Sequence, residues 1–133
     1  MKERPSQILI KYDIREDTGE LFRESYGTTS SIFKVKLSNE RYHITIALDD
    51  PFYILTSVSS YCLTNEPDCI GGHENNFYTV ENSNLIHLFE AALNPLDRIS
   101  YSELKKIHFF IYTIDECFDI ITDKLPKIKI FRK

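Results

Sequence analysis

The chain has 133 residues, of which 42% are apolar and 27% are charged, and its formal net charge is −4. This composition is typical of a folded protein of moderate size, so we expect one domain over residues 1–133 rather than a disordered chain. Because no apolar run is long enough to span a bilayer and none follows the N-terminal charges as in a signal peptide, we expect no membrane contact and a cytoplasmic location, where the three cysteines would be free thiols.

Alternating apolar residues predict β-strands in the N-terminal half of the chain. Residues 7–14 place an apolar side chain at every second position, and residues 20–26 can form a second, less regular strand. The alternation is cleanest over residues 32–37 and 42–48, and the short link between these two runs predicts an antiparallel hairpin. Residues 27–31 are rich in Gly, Ser and Thr, which predicts a loop.

The segment over residues 52–62 fits two structures. Asp50 followed by Pro51 is a suitable helix start, and apolar residues then recur at helical spacing. The segment is also rich in β-branched and aromatic residues, which favour a strand, and we predict a strand on that ground. Residues 64–76 contain a proline, two glycines and several polar residues and predict a long loop, which a short strand over residues 77–80 follows.

Two helices are predicted in the C-terminal half. Residues 83–93 carry an apolar stripe after a Ser or Asn that can cap a helix. Residues 101–124 place apolar side chains at alternating spacings of three and four, which predicts one long helix that begins with a capping box. The high β-propensity of residues 107–114 leaves a buried strand as the alternative there. Isoleucines that alternate with lysines after Pro126 predict a terminal strand.

Together these elements predict an α+β fold. We expect an antiparallel sheet of about five or six strands, drawn mostly from the N-terminal half, packed against the short helix over residues 83–93 and the long helix over residues 101–124. A short C-terminal strand completes the fold. The long helix has more apolar surface than one sheet covers, and a homo-oligomer is an alternative use of that surface.

The charges are unevenly distributed along the chain. Residues 42–97 contain eight Asp or Glu and no Lys or Arg, whereas the last ten residues contain five Lys or Arg and no acid. Acidic side chains without basic neighbours predict a negative surface that attracts a positively charged partner. The alternative is a solvated acidic face over which Lys and Arg from the two ends of the chain fold.

Cys62, Cys69 and His73 are candidate metal ligands. Thiolate and imidazole bind zinc, but the spacing here differs from the paired spacings of structural zinc sites, and a fourth ligand would have to come from elsewhere. A disulfide between Cys62 and Cys69 is a further alternative, and an irregular loop is favoured over both. Acidic neighbours disfavour a nucleophilic thiolate at Cys69 or Cys117. We therefore expect no metal and no other cofactor.

No sequence motif supports an enzyme or a nucleic-acid-binding protein. HExxH, GxSxG, GxGxxG, the P-loop and the EF-hand pattern do not occur, and the four histidines are far apart. Phosphate contacts by the basic C-terminal tail, or by Lys34 and Lys36, are disfavoured because the pI is near 5.5. The tail lysines are better explained as protection of an edge strand against pairing with another chain.

These observations favour a small acidic protein-binding module over an enzyme. We expect an inhibitor, of the kind that immunity proteins represent, which neutralises a basic partner such as a nuclease toxin by occluding its active cleft. The alternative is a metal- or small-ligand-binding domain, with or without catalysis, centred on Cys62, Cys69 and His73. The expected partner-binding surface combines acids and tyrosines of the middle segment: Asp49, Asp50, Tyr53, Tyr61, Glu66, Asp68, Glu74 and Tyr78.

Overall fold

The computed structural model describes residues 4–7, 21–58, 77–81, 83–96, 104–114 and 116–133. Most of this part of the chain is β-strand, and none of its helical structure is long and apolar enough to cross a membrane. In chain order the elements are β1 (Arg4–Gln7), β2 (Phe22–Thr29), β3 (Ile32–Ser38), β4 (Tyr42–Asp49), β5 (Tyr53–Val58), β6 (Phe77–Glu81), α1 (Asn84–Ala92), β7 (Ile107–Tyr112), β8 (Glu116–Thr122) and β9 (Lys127–Arg132).

The strands form two antiparallel sheets. The five-stranded sheet has the order β1-β6-β7-β8-β5, and the four-stranded sheet has the order β2-β3-β4-β9. Side chains point alternately to the two faces of a strand, so every second residue of β3 and β4 is fully buried. The inner faces of the two sheets meet in one apolar cluster, which buries Leu21, Phe33, Val35, Leu37, Tyr42, Ile44, Ile46 and Leu48 together with Phe77, Phe109, Ile111, Phe118 and Ile120.

The hairpin predicted from the two alternating runs is confirmed. β3 and β4 pair in antiparallel register, with Val35 opposite Ile46, and both side chains are buried. The Asn39 side chain closes the turn, because its Oδ1 accepts hydrogen bonds from the backbone N–H groups of Arg41 at 2.8 Å and Tyr42 at 2.9 Å. Local turn chemistry and the hydrophobic pattern therefore specify the same register here.

The predicted loop over residues 27–31 is wrong. β2 continues to Thr29, and two residues, Ser30 and Ser31, connect it to β3. Both serines have positive φ, of 50° and 65°, as the central residues of the commonest two-residue hairpin turn require. Gly27 lies inside β2. The composition therefore indicated a loop where the backbone makes a tight turn.

The predicted long helix over residues 101–124 is also wrong. Residues 107–112 and 116–122 form β7 and β8, so the strand considered for residues 107–114 is the correct alternative, and residues 101–103 lie outside the described part of the chain. Both strands lie inside the five-stranded sheet, and nearly all their side chains are buried. A strand that is buried on both faces is an almost continuous apolar run, which can imitate helical spacing. These additional strands are why the chain has two sheets where the sequence predicted one.

The other predicted elements agree with the structure where it describes them. The short helix is α1, and Ser83 caps it by accepting a hydrogen bond from Ile86 N–H at 3.1 Å. Most of the strand predicted over residues 52–62 forms β5, and the C-terminal strand is β9, an edge of the four-stranded sheet. Of the strand predicted over residues 7–14, residues 8–14 lie outside the described part of the chain.

α1 lies against the outer face of the five-stranded sheet, which is the face turned away from the apolar cluster between the sheets. This outer face carries a second, smaller cluster of Val80, Phe110 and Cys117, against which Tyr112 packs. The helix reaches the sheet through its N-cap and its buried Leu85. Polar side chains are buried along the same contact, and they form the centre of the site described next.

Candidate functional site

Asp49, Asp50 and Tyr53 lie in and beside the short connection from β4 to β5, and we call these three residues the acidic corner. Asp50 has a φ of 45°, which Asp tolerates better than most residues, and its N–H donates to the Ser31 carbonyl oxygen at 2.8 Å. Asp49 and Asp50 are exposed, and neither forms an ion pair with another described residue. Tyr53 is 40% exposed, and its ring centroid lies 6.1 Å from that of Phe89 on α1.

The sequence predicts five further residues for the partner-binding surface. Tyr78 lies in β6, where its backbone is opposite Phe110. Glu90, an acid of the middle segment that is not one of these five, forms an ion pair with Lys106 at 3.2 Å. This contact is expected if lysines from outside the middle segment fold over its acidic side chains. The remaining four predicted residues lie outside the described part of the chain: Tyr61, Glu66, Asp68 and Glu74.

The candidate metal ligands Cys62, Cys69 and His73 also lie outside the described residues. Among the residues that the structure does describe, no group of three or more His, Cys, Asp or Glu could hold a metal ion. Cys117 is buried and disulfide-bonded, so the expectation of free thiols is wrong for this cysteine. A sulfur held in a disulfide is not a thiolate, and Cys117 is therefore no nucleophile in this state.

Three buried polar side chains form a hydrogen-bonded chain beneath α1, which we call the Ser83–His108–Asp119 chain. Ser83 Oγ lies 2.6 Å from His108 Nδ1, and His108 Nε2 lies 2.6 Å from Asp119 Oδ1. None of the three residues is more than 4% exposed. Because Ser83 Oγ accepts the Ile86 N–H, its own proton is free to point at Nδ1, and a neutral imidazole with its proton on Nε2 satisfies all these partners.

The register of β7 against β8 brings the residues of the Ser83–His108–Asp119 chain together. His108 of β7 is opposite Ile121 of β8, and Asp119 lies two residues before Ile121, so His108 and Asp119 are diagonal neighbours on the same face. Ser83 reaches them as the N-cap of α1. The helix predicted over residues 101–124 would have separated His108 and Asp119, which are 11 positions apart, by about 16 Å. Two polar residues inside apolar runs were the signal that could have revealed the pair.

Ser83 and His108 also line a cleft of about 600 Å³ beside the N-terminus of α1. Its walls combine apolar side chains, such as Ile86, with the two lysines Lys105 and Lys106. A serine hydroxyl that contacts an imidazole backed by a carboxylate is the arrangement that activates serine in acyl transfer. The same hydroxyl caps α1 here, so the chain also anchors the helix to the sheet.

Basic side chains from two distant parts of the sequence meet on the outer face of the four-stranded sheet. β3 and β9 flank β4, and each contributes two exposed lysines. The two pairs of lysines face each other across Thr45 and Ala47 of β4. We call these four residues the lysine face: Lys34, Lys36, Lys127 and Lys129.

The described residues thus present three candidate sites, which are the acidic corner, the Ser83–His108–Asp119 chain with its cleft, and the lysine face. No protein-family model, no curated protein and no solved structure matches this chain. Its function is therefore inferred from the charges, contacts and exposure of these sites.

Proposed function

We propose that this protein is a protein-binding module that neutralises a basic partner, in the manner of an immunity protein or another small inhibitor. The observation that supports this proposal is the exposure of Asp49 and Asp50 without an ion pair to any described Lys or Arg. Two adjacent carboxylates without counter-ions create a negative potential that a cationic surface neutralises. The partner that fits them is a protein with a positively charged cleft, such as a nuclease.

Exposed aromatic and apolar side chains lie on β5, which follows the two carboxylates in the chain, and on α1, whose Phe89 ring lies near that of Tyr53. Tyr53 is 40% exposed and packs on Phe89, and Leu88, the neighbour of Phe89 on α1, is 63% exposed. In protein interfaces, aromatic anchors often carry most of the binding free energy, whereas charges mainly set the association rate and the specificity. The acidic corner and its surroundings supply both kinds of group.

Association kinetics test this proposal. Affinity capture from the native cell extract at low salt, followed by a high-salt wash, supplies the partner. We expect the D49N/D50N double variant to associate with that partner about tenfold more slowly than the wild type at low salt, and its rate to depend less on ionic strength. Tyr53→Ala should act differently and raise the dissociation rate constant, because it removes contact surface rather than charge.

A matched control removes the same charge elsewhere. The E40Q/D123N double variant has the net charge of D49N/D50N, but its two changes lie in the β3–β4 turn and after β8. If the control slows association as much as D49N/D50N does, net charge rather than the acidic corner governs binding. If neither double variant slows association, the steering mechanism is excluded.

The cleft beside the N-terminus of α1 favours a second candidate function, which is binding of a small ester. Ser83 Oγ would attack the acyl carbon, His108 would take the hydroxyl proton, and the alcohol of the ester would leave with that proton. The supporting observation is that Ser83 Oγ contacts His108 Nδ1 while both residues line the cleft. A fluorophosphonate probe, which labels activated serines, should then modify Ser83, as peptide mass spectrometry would show. Probe labelling that is absent, or equal at all serines, would exclude an activated hydroxyl and leave the chain as an anchor for α1.

A further inference from the structure

The lysine face is a regular array of charges. Two residues that are two positions apart on a strand are separated by about 7 Å, and residues two strands apart are separated by about 10 Å. Lys36 and Lys129 lie on opposite sides of β4, because both are paired with Thr45. The other two lysines lie on opposite sides of Ala47 in the same way. The short side chains of Thr45 and Ala47 occupy the centre of the array, so the longer lysine side chains surround a shallow depression.

Protection of a sheet edge explains the two lysines of β9 but not the two lysines of β3. Lysines on an edge strand discourage pairing with another chain, and β9 is such an edge. β3 lies between β2 and β4, so Lys34 and Lys36 protect no edge. Their exposure on the same face as Lys127 and Lys129 needs another reason.

The four lysines are not held in ion pairs within the described part of the chain. None of the four lysines forms an ion pair with another described residue. The neighbouring acid, Glu24, lies 3.6 Å from His43. A hydrogen bond from Ser38 lowers the pKa of Glu24, and electrostatic interactions with His43, Lys133 and Lys36 lower it further. Four lysines thus share this face with two nearby described carboxylates, Glu24 and Asp49, so cations outnumber acids here although the whole chain is acidic.

An exposed aromatic residue borders the lysines. Phe131 follows Lys129 by two positions on β9, is 58% exposed, and is opposite His43 of β4. The His43 side chain is itself 55% exposed. A flat ring beside a row of cations is the combination that stacks bases and binds phosphates in proteins that bind single strands.

We propose that the lysine face binds single-stranded nucleic acid, with phosphates at the four ammonium groups and a base stacked on Phe131. An acidic protein fits less well, because lysine is depleted in protein interfaces and the centre of this face lacks an apolar core. A duplex would leave Phe131 unused, since its bases are already stacked on each other. The pI near 5.5 opposes long-range attraction, but acids farther away than about 8–10 Å are largely screened at physiological salt.

Salt-dependent binding of an oligonucleotide tests the proposal with the full chain. Fluorescence anisotropy of a labelled oligo(dT) of about 15 nucleotides should show binding at about 50 mM salt, and the logarithm of the affinity should fall with the logarithm of salt concentration with a slope of about −3 for four phosphate contacts. The K36Q/K129Q double variant should lower the slope to about half of that value. Phe131→Ala should weaken binding about tenfold and leave the slope unchanged.

The control is the K105Q/K124Q double variant, which removes two exposed lysines from other surfaces and has the same net charge as K36Q/K129Q. It should bind like the wild type. Absence of binding at about 50 mM salt, or an equal loss in both double variants, would overturn the proposal. Competition by polyglutamate as strong as that by unlabelled oligo(dT) would assign the face to an acidic protein, and tighter binding of a duplex of the same length would rule out the single-strand mode.

Discussion

At the scale of single residues, the Ser83 hydroxyl oxygen takes part in two structures at once. It accepts the Ile86 N–H at the start of α1, and it contacts His108 Nδ1 at 2.6 Å in the five-stranded sheet. One atom therefore connects the helix with the sheet and completes the hydrogen-bonded chain that His108 and Asp119 begin. A buried polar group that loses its partner keeps the full cost of its desolvation.

We predict that Ser83→Ala lowers the free energy of unfolding by about 2 kcal/mol, because it removes a helix cap and leaves His108 Nδ1 without this partner. Urea denaturation of both proteins measures the difference. The control is Ser25→Ala, the same chemical change at an exposed position of β2, which should have little effect. Equal stabilities of the two variants would show that the Ser83–His108–Asp119 chain does not hold the helix.

Glu24 supplies a prediction about pH. Its pKa is lowered from the ordinary value of 4.5, first by the hydrogen bond from Ser38 and also by His43, Lys133 and Lys36, while burial opposes the shift. A carboxylate whose pKa is lower in the folded state stabilises the fold above its ordinary pKa, and this contribution is lost as the pH falls through the lowered value. The Glu24→Gln variant should therefore be less stable than the wild type at pH 7, with the difference closing below about pH 4.5. A difference that does not vary with pH in urea titrations would contradict this.

At the scale of elements, the structure is predictable where neighbours in sequence decide it. The β3–β4 hairpin and α1 follow from alternation, a turn residue and a cap, all of which act within a few positions. β7 and β8 were misassigned because both their faces are buried, which removes the alternation that identifies a strand. The lysine face was missed for a different reason: the register of β9 against β4 joins residues far apart in sequence.

The backbone conformation of the β2–β3 turn leads to a prediction about stability. Ser31 has a φ of 65°, a conformation that costs an L-residue about 1–2 kcal/mol and costs glycine little. We predict that Ser31→Gly raises the free energy of unfolding by about 0.5–1 kcal/mol, since part of the gain is offset by the greater entropy of glycine in the unfolded chain. Ser31→Ala removes the same hydroxyl without relieving the backbone and should not stabilise the protein. Stabilisation by alanine as large as that by glycine would contradict the backbone explanation.

At the scale of the whole molecule, polar contacts as well as apolar ones hold the two sheets together. Arg23 of β2 forms an ion pair with Glu116 of β8 and lies over the ring of Tyr26, 5.2 Å from its centroid. The Tyr26 ring in turn makes an edge contact with Phe118 of the other sheet at 5.3 Å. Cys117, between Glu116 and Phe118 on β8, is in addition disulfide-bonded.

The disulfide gives a prediction for the complete chain. An intramolecular disulfide uses two of the three cysteines, so we expect one reactive thiol per chain when the unreduced protein is denatured, and three after reduction. A thiol reagent that releases a coloured anion measures both counts. Three thiols before reduction would show that the bond is absent, as in a reducing environment.

The strand order has a consequence for how quickly the chain reaches its native state. β1 pairs with β6, β4 with β9 and β5 with β8, so each sheet closes by joining segments that are remote in sequence. Large loops must lose their freedom before these contacts return any free energy, and proteins of this topology typically fold in milliseconds to seconds rather than microseconds. During that interval the aromatic and β-branched segments of β7 and β8 are accessible to other newly made chains. Low expression temperature and chaperone co-production should therefore increase the yield of soluble protein.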